Sequence, residues 1–344
     1  MGTFRLILAI LVALSHLGLS LRGHNPGVMA VVCFYVISGY VMTALITKHY
    51  AAPSKFGWFF LDRAMRLYPQ FLVYLAAGVV LVAMIHPAVT VISNVTPFKV
   101  VLNALMVPLN FYQLDVGGLG TGSLMPWSLG LEALFYAVIP IILIYQARQI
   151  ALALSLAIFT MAYVGHINTD LFGYRFLPGT LFMFLAGSFL YNPGRAEKNI
   201  VVGIWASALV ALLVVRNTAN LQLDFNYEVL TGLLVAIPMV AILGKIKGGP
   251  IDNLLGNVSY GVFLNHPLLL YTTIGLGMPQ GSVLTKASIL GASVVLAWLT
   301  FRYVERPIVN ARHRIRSREA PATSMEARNP TKPPRESVES TAHS

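Results

Sequence analysis

Ten apolar runs, each close to the length of a bilayer crossing, constrain this chain more than any other feature. They fall at about 4–21, 28–47, 70–86, 127–146, 150–165, 174–191, 200–215, 229–244, 257–275 and 283–303. A hydrocarbon core needs roughly 20 apolar residues per helix. In lipid every backbone polar group must be satisfied inside the segment, which leaves helices for runs of this kind. Charged residues make up only 11% of the 344 residues and hydrophobic ones 56%, whereas soluble domains are roughly a quarter charged. The chain therefore reads as an all-α integral membrane protein, a bundle of about ten transmembrane helices.

Loop charge orients the bundle. With the N-terminus inside, the inner loops hold Lys48, Lys55, Arg63, Arg66, Arg148, Arg195, Lys198, Lys245 and Lys247. The outer loops hold Arg22, Lys99, Arg175, Arg216 and Lys286. This bias predicts both termini in the cytoplasm. It also accounts for the net charge of +11 without nucleic acid as a partner. The stretch 99–112, with Pro108 and two asparagines, reads as an interfacial or re-entrant piece. The first run resembles a signal peptide, but no A-x-A site follows it in "SHLGLSLRGHNPG", so a retained first helix is expected. Residues 1–311 form the expected membrane domain. Residues 312–344, poor in large apolar residues, form a basic, largely disordered cytoplasmic tail. One cysteine, Cys33, excludes an intramolecular disulfide.

Polar residues inside apolar runs mark candidate sites, because they carry a cost in lipid unless paired or facing a cavity. Arg5 and His16 are eleven residues apart, which on a helix puts them on one face about 16 Å apart. A flanking arginine and a packed histidine are the bland alternative. Arg63 and Arg66 share a face three residues apart, and paired guanidinium forks suit phosphate groups; flanking positive charge competes with that reading. Ser128 and Glu132 share a face near the outer edge of the fourth run, where the carboxylate suits pairing with an imidazole. His266, beside the helix-breaking Pro267, sits near mid-membrane and suits a cavity wall or a structural role. No phosphate-binding glycine loop, zinc-finger spacing or nucleophile elbow occurs, and no metal site is expected. The glycine-rich "DVGGLGTG" at 115–122 reads as a flexible loop.

In this order the fragments resemble the acyltransferase 3 family. The resemblance rests on Arg5 with His16, "FYVISGYVM" (34–42), "RAMR" (63–66), "WSLGLEALFY" (127–136), "SYGVFLNHPLL" (259–269) and "YVERP" (303–307). Ala133 and Asn265 depart from the residues many members carry there. The resemblance implies acyl transfer to a hydroxyl of a cell-surface or secreted polysaccharide or oligosaccharide, lipid-linked or free. It implies acyl-CoA, most simply acetyl-CoA, as co-substrate with no bound cofactor, and a place in the inner membrane. Under it His16 is the catalytic base or an acyl carrier, and Glu132 orients the imidazole. Arg63 and Arg66 hold the donor, with Arg5 assisting. Ser38, Ser128, His266, Glu305 and Arg306 become candidates for lining the channel or binding the acceptor. The competing class is a lipid-linked saccharide exporter, whose polar residues would line a permeation path without catalysis.

Overall fold

The computed structural model describes residues 1–85, 95–114 and 124–311. The glycine-rich loop at 115–122, the expected tail at 312–344 and the last residue of the run 70–86 lie outside them. Within the described residues the chain is helical throughout, without a strand; one isolated bridge joins Leu21 and His24.

Eleven α-helices follow in order. They are α1 (Gly2–His16), α2 (Pro26–His49), α3 (Phe56–Ile85), α4 (Pro97–Ala104), α5 (Trp127–Ile144), α6 (Arg148–Tyr163), α7 (Leu177–Leu190), α8 (Arg195–Asn217), α9 (Asn226–Leu243), α10 (Pro250–Gly275) and α11 (Val283–Thr300). Each of the ten predicted runs overlaps one of these helices. Among the described residues six segments are long and apolar enough to cross a membrane: Pro26–His49, Pro53–Met84, Trp127–Ile144, Arg195–Asn217, Asn226–Leu243 and Val283–Ala311. They mark the chain as a helical membrane protein. α1 and α6 are apolar but shorter. The stretch 99–112 folds as α4 followed by a 3-10 helix, Val107–Leu114.

α1 stops earlier than its apolar run. The amide of Leu19 bonds the carbonyl of Leu14 at 2.9 Å and that of Gly18 bonds Ser15 at 3.1 Å. Gly18 has φ +87°. This is a Schellman end, which needs a residue free to adopt the left-handed conformation. His16 is thus the last residue of its helix and is exposed, a correction to its expected place within the span.

Two glycines set the centre of the bundle. A Cβ on Gly39 of α2 would lie 1.7 Å from the carbonyl oxygen of Phe184 in α7, and one on Gly187 of α7 would lie 1.9 Å from that of Val36. The two backbones therefore touch, as small residues allow between membrane helices. α1 and α10 run parallel in fixed register: Gly2 bonds Asp252 and His16 contacts His266, each pair 250 residues apart.

Two short π-helical turns interrupt this regularity, Leu171–Arg175 before α7 and Phe301–Glu305 after α11. Such turns recur at functional sites. Each ends on a charged residue that is turned inward: Glu305 is fully buried, and Arg175 lines a cavity.

Candidate functional site

Three cavities share walls along the axis of the bundle. The first, about 540 Å³, opens beside Met1 and is lined by Arg5, Tyr40, Arg66, Asp252 and Glu305 among others. The second, about 160 Å³, is walled by Val31, Phe34, Leu129 and Phe184 and holds Arg5, Arg63, Arg66, Ser38, Glu132 and Tyr136. The third, about 400 Å³, holds His16, His266 and Arg175. Arg5 and Arg66 border the first two. Val31, Ser128 and Phe263 border the last two.

At the first mouth Asp252 anchors α1. Its carboxylate accepts bonds from the amides of Gly2 (3.0 Å) and Thr3 (2.8 Å) and from the Thr3 hydroxyl (2.9 Å). These four-residue helix starts have orphan amides, and the carboxylate serves as their cap. The amide of Thr3, then that of Gly2, holds the Asp252 carboxyl well below the usual carboxylate range.

The arginine pair arrives already partnered. Arg63 is buried; its Nε donates to Asp62 at 3.1 Å and its Nη1 lies 3.7 Å from the sulfur of Met42. Arg66 pairs with Glu305, whose other oxygen accepts from Gln70 Nε2 at 2.6 Å. The terminal "ERP" thus supplies the counter-ion of the second arginine, a pairing across 239 positions that sequence spacing cannot show. Arg306, its neighbour, is exposed. Arg5, by contrast, forms no ion pair within 4 Å among the described residues, and it faces both cavities.

Glu132 does not meet His16. One of its oxygens accepts from Ser38 Oγ at 3.0 Å and from the hydroxyl of Tyr136. It lines the middle cavity, whereas His16 lines the third. Tyr136 was readable, since a residue four positions along the helix shares the face of Glu132. Ser128 stands in the wall between the two cavities.

The partner of His16 is His266. His16 Nδ1 lies 2.8 Å from His266 Nε2, and the rings stack with centroids 5.0 Å apart. His266 is buried, and its Nδ1 lies 3.0 Å from the carbonyl oxygen of Val262. A carbonyl only accepts, so His266 Nδ1 carries the proton and its Nε2 presents a lone pair. His16 Nδ1 must then donate, which leaves a lone pair on Nε2 of His16, an atom with no hydrogen-bond partner among the described residues. One backbone oxygen thus fixes the tautomer of both neutral rings. No three His, Cys, Asp or Glu residues cluster as metal ligands among the described residues.

Comparison with known proteins agrees with this architecture. A family model described as an acyltransferase domain, that of acyltransferase 3, matches residues 2–302. Over 198 residues the chain is 31% identical to an uncharacterised protein of Aquifex aeolicus, covering 55% of this chain and 89% of the other. It is 25% identical over 346 residues to the peptidoglycan O-acetyltransferase OatA of Listeria monocytogenes, covering 88% of this chain and 54% of that one. It is 24% identical over 324 residues to a Staphylococcus aureus protein provisionally named an O-acetyltransferase, covering 82% and 52%. The chain spans about half the length of these two O-acetyltransferase relatives. No solved structure matches. The chain belongs to the acyltransferase 3 family of enzymes.

Proposed function

We propose that this chain moves an acyl group, acetyl from acetyl-CoA, onto a hydroxyl of a surface or secreted carbohydrate, with His16 as the base. The reading places the chain in the inner membrane with about ten spans and both termini in the cytoplasm. What carries it is the free Nε2 of His16, pointed by His266 and Val262 into a cavity that adjoins an arginine-bearing one.

The donor enters from the mouth beside Met1, on the side of the basic loops. Arg5 is the residue for its phosphates or thioester, because Arg63 and Arg66 are occupied by Asp62 and Glu305. Those two pairs position the arginines and leave Arg5 as the cavity's arginine without an ion pair among the described residues. The acceptor hydroxyl sits against His16. Its oxygen attacks the thioester carbonyl carbon while His16 Nε2 takes its proton. The carbon–sulfur bond then breaks, and the protonated His16 returns that proton to the departing thiolate. Glu132, held by Ser38 and Tyr136, lines the passage between the two ends. Ser128 stands where the cavities adjoin.

The test is His16→Ala in purified protein given acetyl-CoA and a carbohydrate acceptor. Loss of a general base lowers turnover by about 10²–10⁴, while the fold, measured by thermal melting, is kept because His16 is an exposed helix end. Near-normal transfer by this variant would sink the assignment.

A further inference from the structure

Among the described residues Arg175 is the only arginine or lysine lining the third cavity, and the chain around it is unusually constrained. It ends a π-helical turn. Its carbonyl accepts from Asn110 Nδ2 at 2.7 Å, and the carbonyl of Tyr174 before it accepts from the Tyr35 hydroxyl at 3.2 Å. Its guanidinium lies 4.8 Å from the ring of Trp127, 5.2 Å from Tyr174 and 5.7 Å from Phe225. Phe225 reaches it from a backbone φ of +63°, a left-handed conformation unfavourable for an aromatic residue. Strain of this kind persists where the surroundings over-determine it, and it gathers at binding sites. Nothing in bundle packing requires a caged cation at a cavity wall.

The charge of Arg175 is already balanced. Nε donates to Asp170 Oδ1 at 2.6 Å and Nη1 to the Tyr112 hydroxyl at 3.1 Å. Among the described residues Nη2 has no hydrogen-bond partner. The site therefore offers fixed N–H donors and aromatic walls rather than net positive charge. A neutral oxygen can accept from Nη2 without disturbing Asp170, whereas an entering carboxylate meets an ion pair already formed.

We propose that this cage is the acceptor subsite, and that it takes an uncharged sugar ring whose oxygen is held by Arg175 beside His16. The inference rests on the carbohydrate acceptor proposed above and adds its charge class and the residues that recognise it.

The test is calorimetric titration of the full chain in detergent with fully N-acetylated chitotriose, a neutral trisaccharide, and with trigalacturonate, its charged comparison. Wild-type protein should bind chitotriose about tenfold tighter than trigalacturonate. Arg175→Gln should weaken chitotriose binding by about tenfold or more, the scale of one hydrogen bond from a charged donor. Arg175→Lys keeps the charge and the Asp170 pair, so it guards against misfolding; it should fall between the two. Asp170→Asn leaves the cation unbalanced and should invert the preference toward trigalacturonate. Tighter binding of trigalacturonate by wild type, unchanged binding in Arg175→Gln, or no binding of either sugar overturns the proposal. So does a fall in kcat with the acceptor KM unchanged, which would make Arg175 a donor to the developing oxyanion instead. Because binding is read without turnover, a chain that binds chitotriose yet transfers no acetyl group fails only the reading of transfer. A chain that acetylates another acceptor yet binds neither trisaccharide fails only the subsite.

Discussion

Replacing His266 by leucine tests the relay from Val262 to His16 most directly. Leucine fills the buried site but cannot accept from His16 Nδ1, so the imidazole loses the contact that selects its tautomer and ring angle. A net hydrogen bond of about 0.5–1.5 kcal/mol corresponds to a bias of roughly 2- to 13-fold in favour of the form with a bare Nε2. Loss of ring orientation compounds this, since reacting groups must be held in near-attack geometry. Together they set an expected fall in kcat of about 10- to 100-fold. The acetyl-CoA KM should be unchanged, because Arg5 lies about 16 Å away along α1. His266→Gln restores an acceptor close to the place of the lost Nε2, so it should recover most of the rate. The assay is steady-state transfer from acetyl-CoA across a pH series, with thermal melting as the control for folding. The acid limb of the profile, set by protonation of His16, should move in the leucine variant and return in the glutamine one. A leucine variant with wild-type kcat and an unmoved acid limb would refute the relay.

Three further outcomes follow from contacts away from the histidines. Glu305→Gln removes the buried carboxylate that faces the half-buried Arg66, and breaking one side of a buried pair costs about 3–5 kcal/mol; thermal melting should show a loss toward the lower end of that range, relieved when Arg66→Met is added. Gly39→Ala forces a methyl against the carbonyl of Phe184, so overpacking should destabilise the α2–α7 contact by about 1–3 kcal/mol, read as a lower melting temperature and poorer membrane yield. Asp252 titrates in the opposite sense to a base. Its folded-state pKa lies below the unfolded value, so its stabilisation of α1 is complete above the unfolded pKa and is lost as pH falls below about 4. Amide exchange at Thr3 should rise with acid in wild type and be fast at neutral pH in Asp252→Ala.

The helices were legible because an apolar run is a local feature, and the stretch 99–112, set apart by Pro108, folds as a short helix followed by a 3-10 helix. Misreadings arose where a local cap or a distant partner decided the outcome. Gly18 ends α1 and brings His16 to a helix terminus, a signal present two residues away but outweighed by the leucines around it. Glu132 has one partner four residues along its own helix and another on α2, neither of which charge scarcity reveals. The pairing of Arg66 with Glu305 and of His16 with His266 joins residues more than 200 positions apart, which only the folded bundle brings together. Arg175 read as one more outer-loop charge, because a π-helical turn that aims it inward has no sequence period of its own.

The parallel register of α1 and α10 has a consequence for how the enzyme comes to exist. α1 is completed by α10, since His16 and Gly2 each wait for a partner 250 residues downstream. At a synthesis rate of about 5–20 residues per second, that interval lasts roughly 12–50 s. Throughout it the histidine of α1 is without its partner on α10, and the relay cannot be assembled on a partial chain. The contact between His16 and His266 therefore exists only once α10 has been made, and a chain cut short before α10 would retain most of the described helices without the partner of His16.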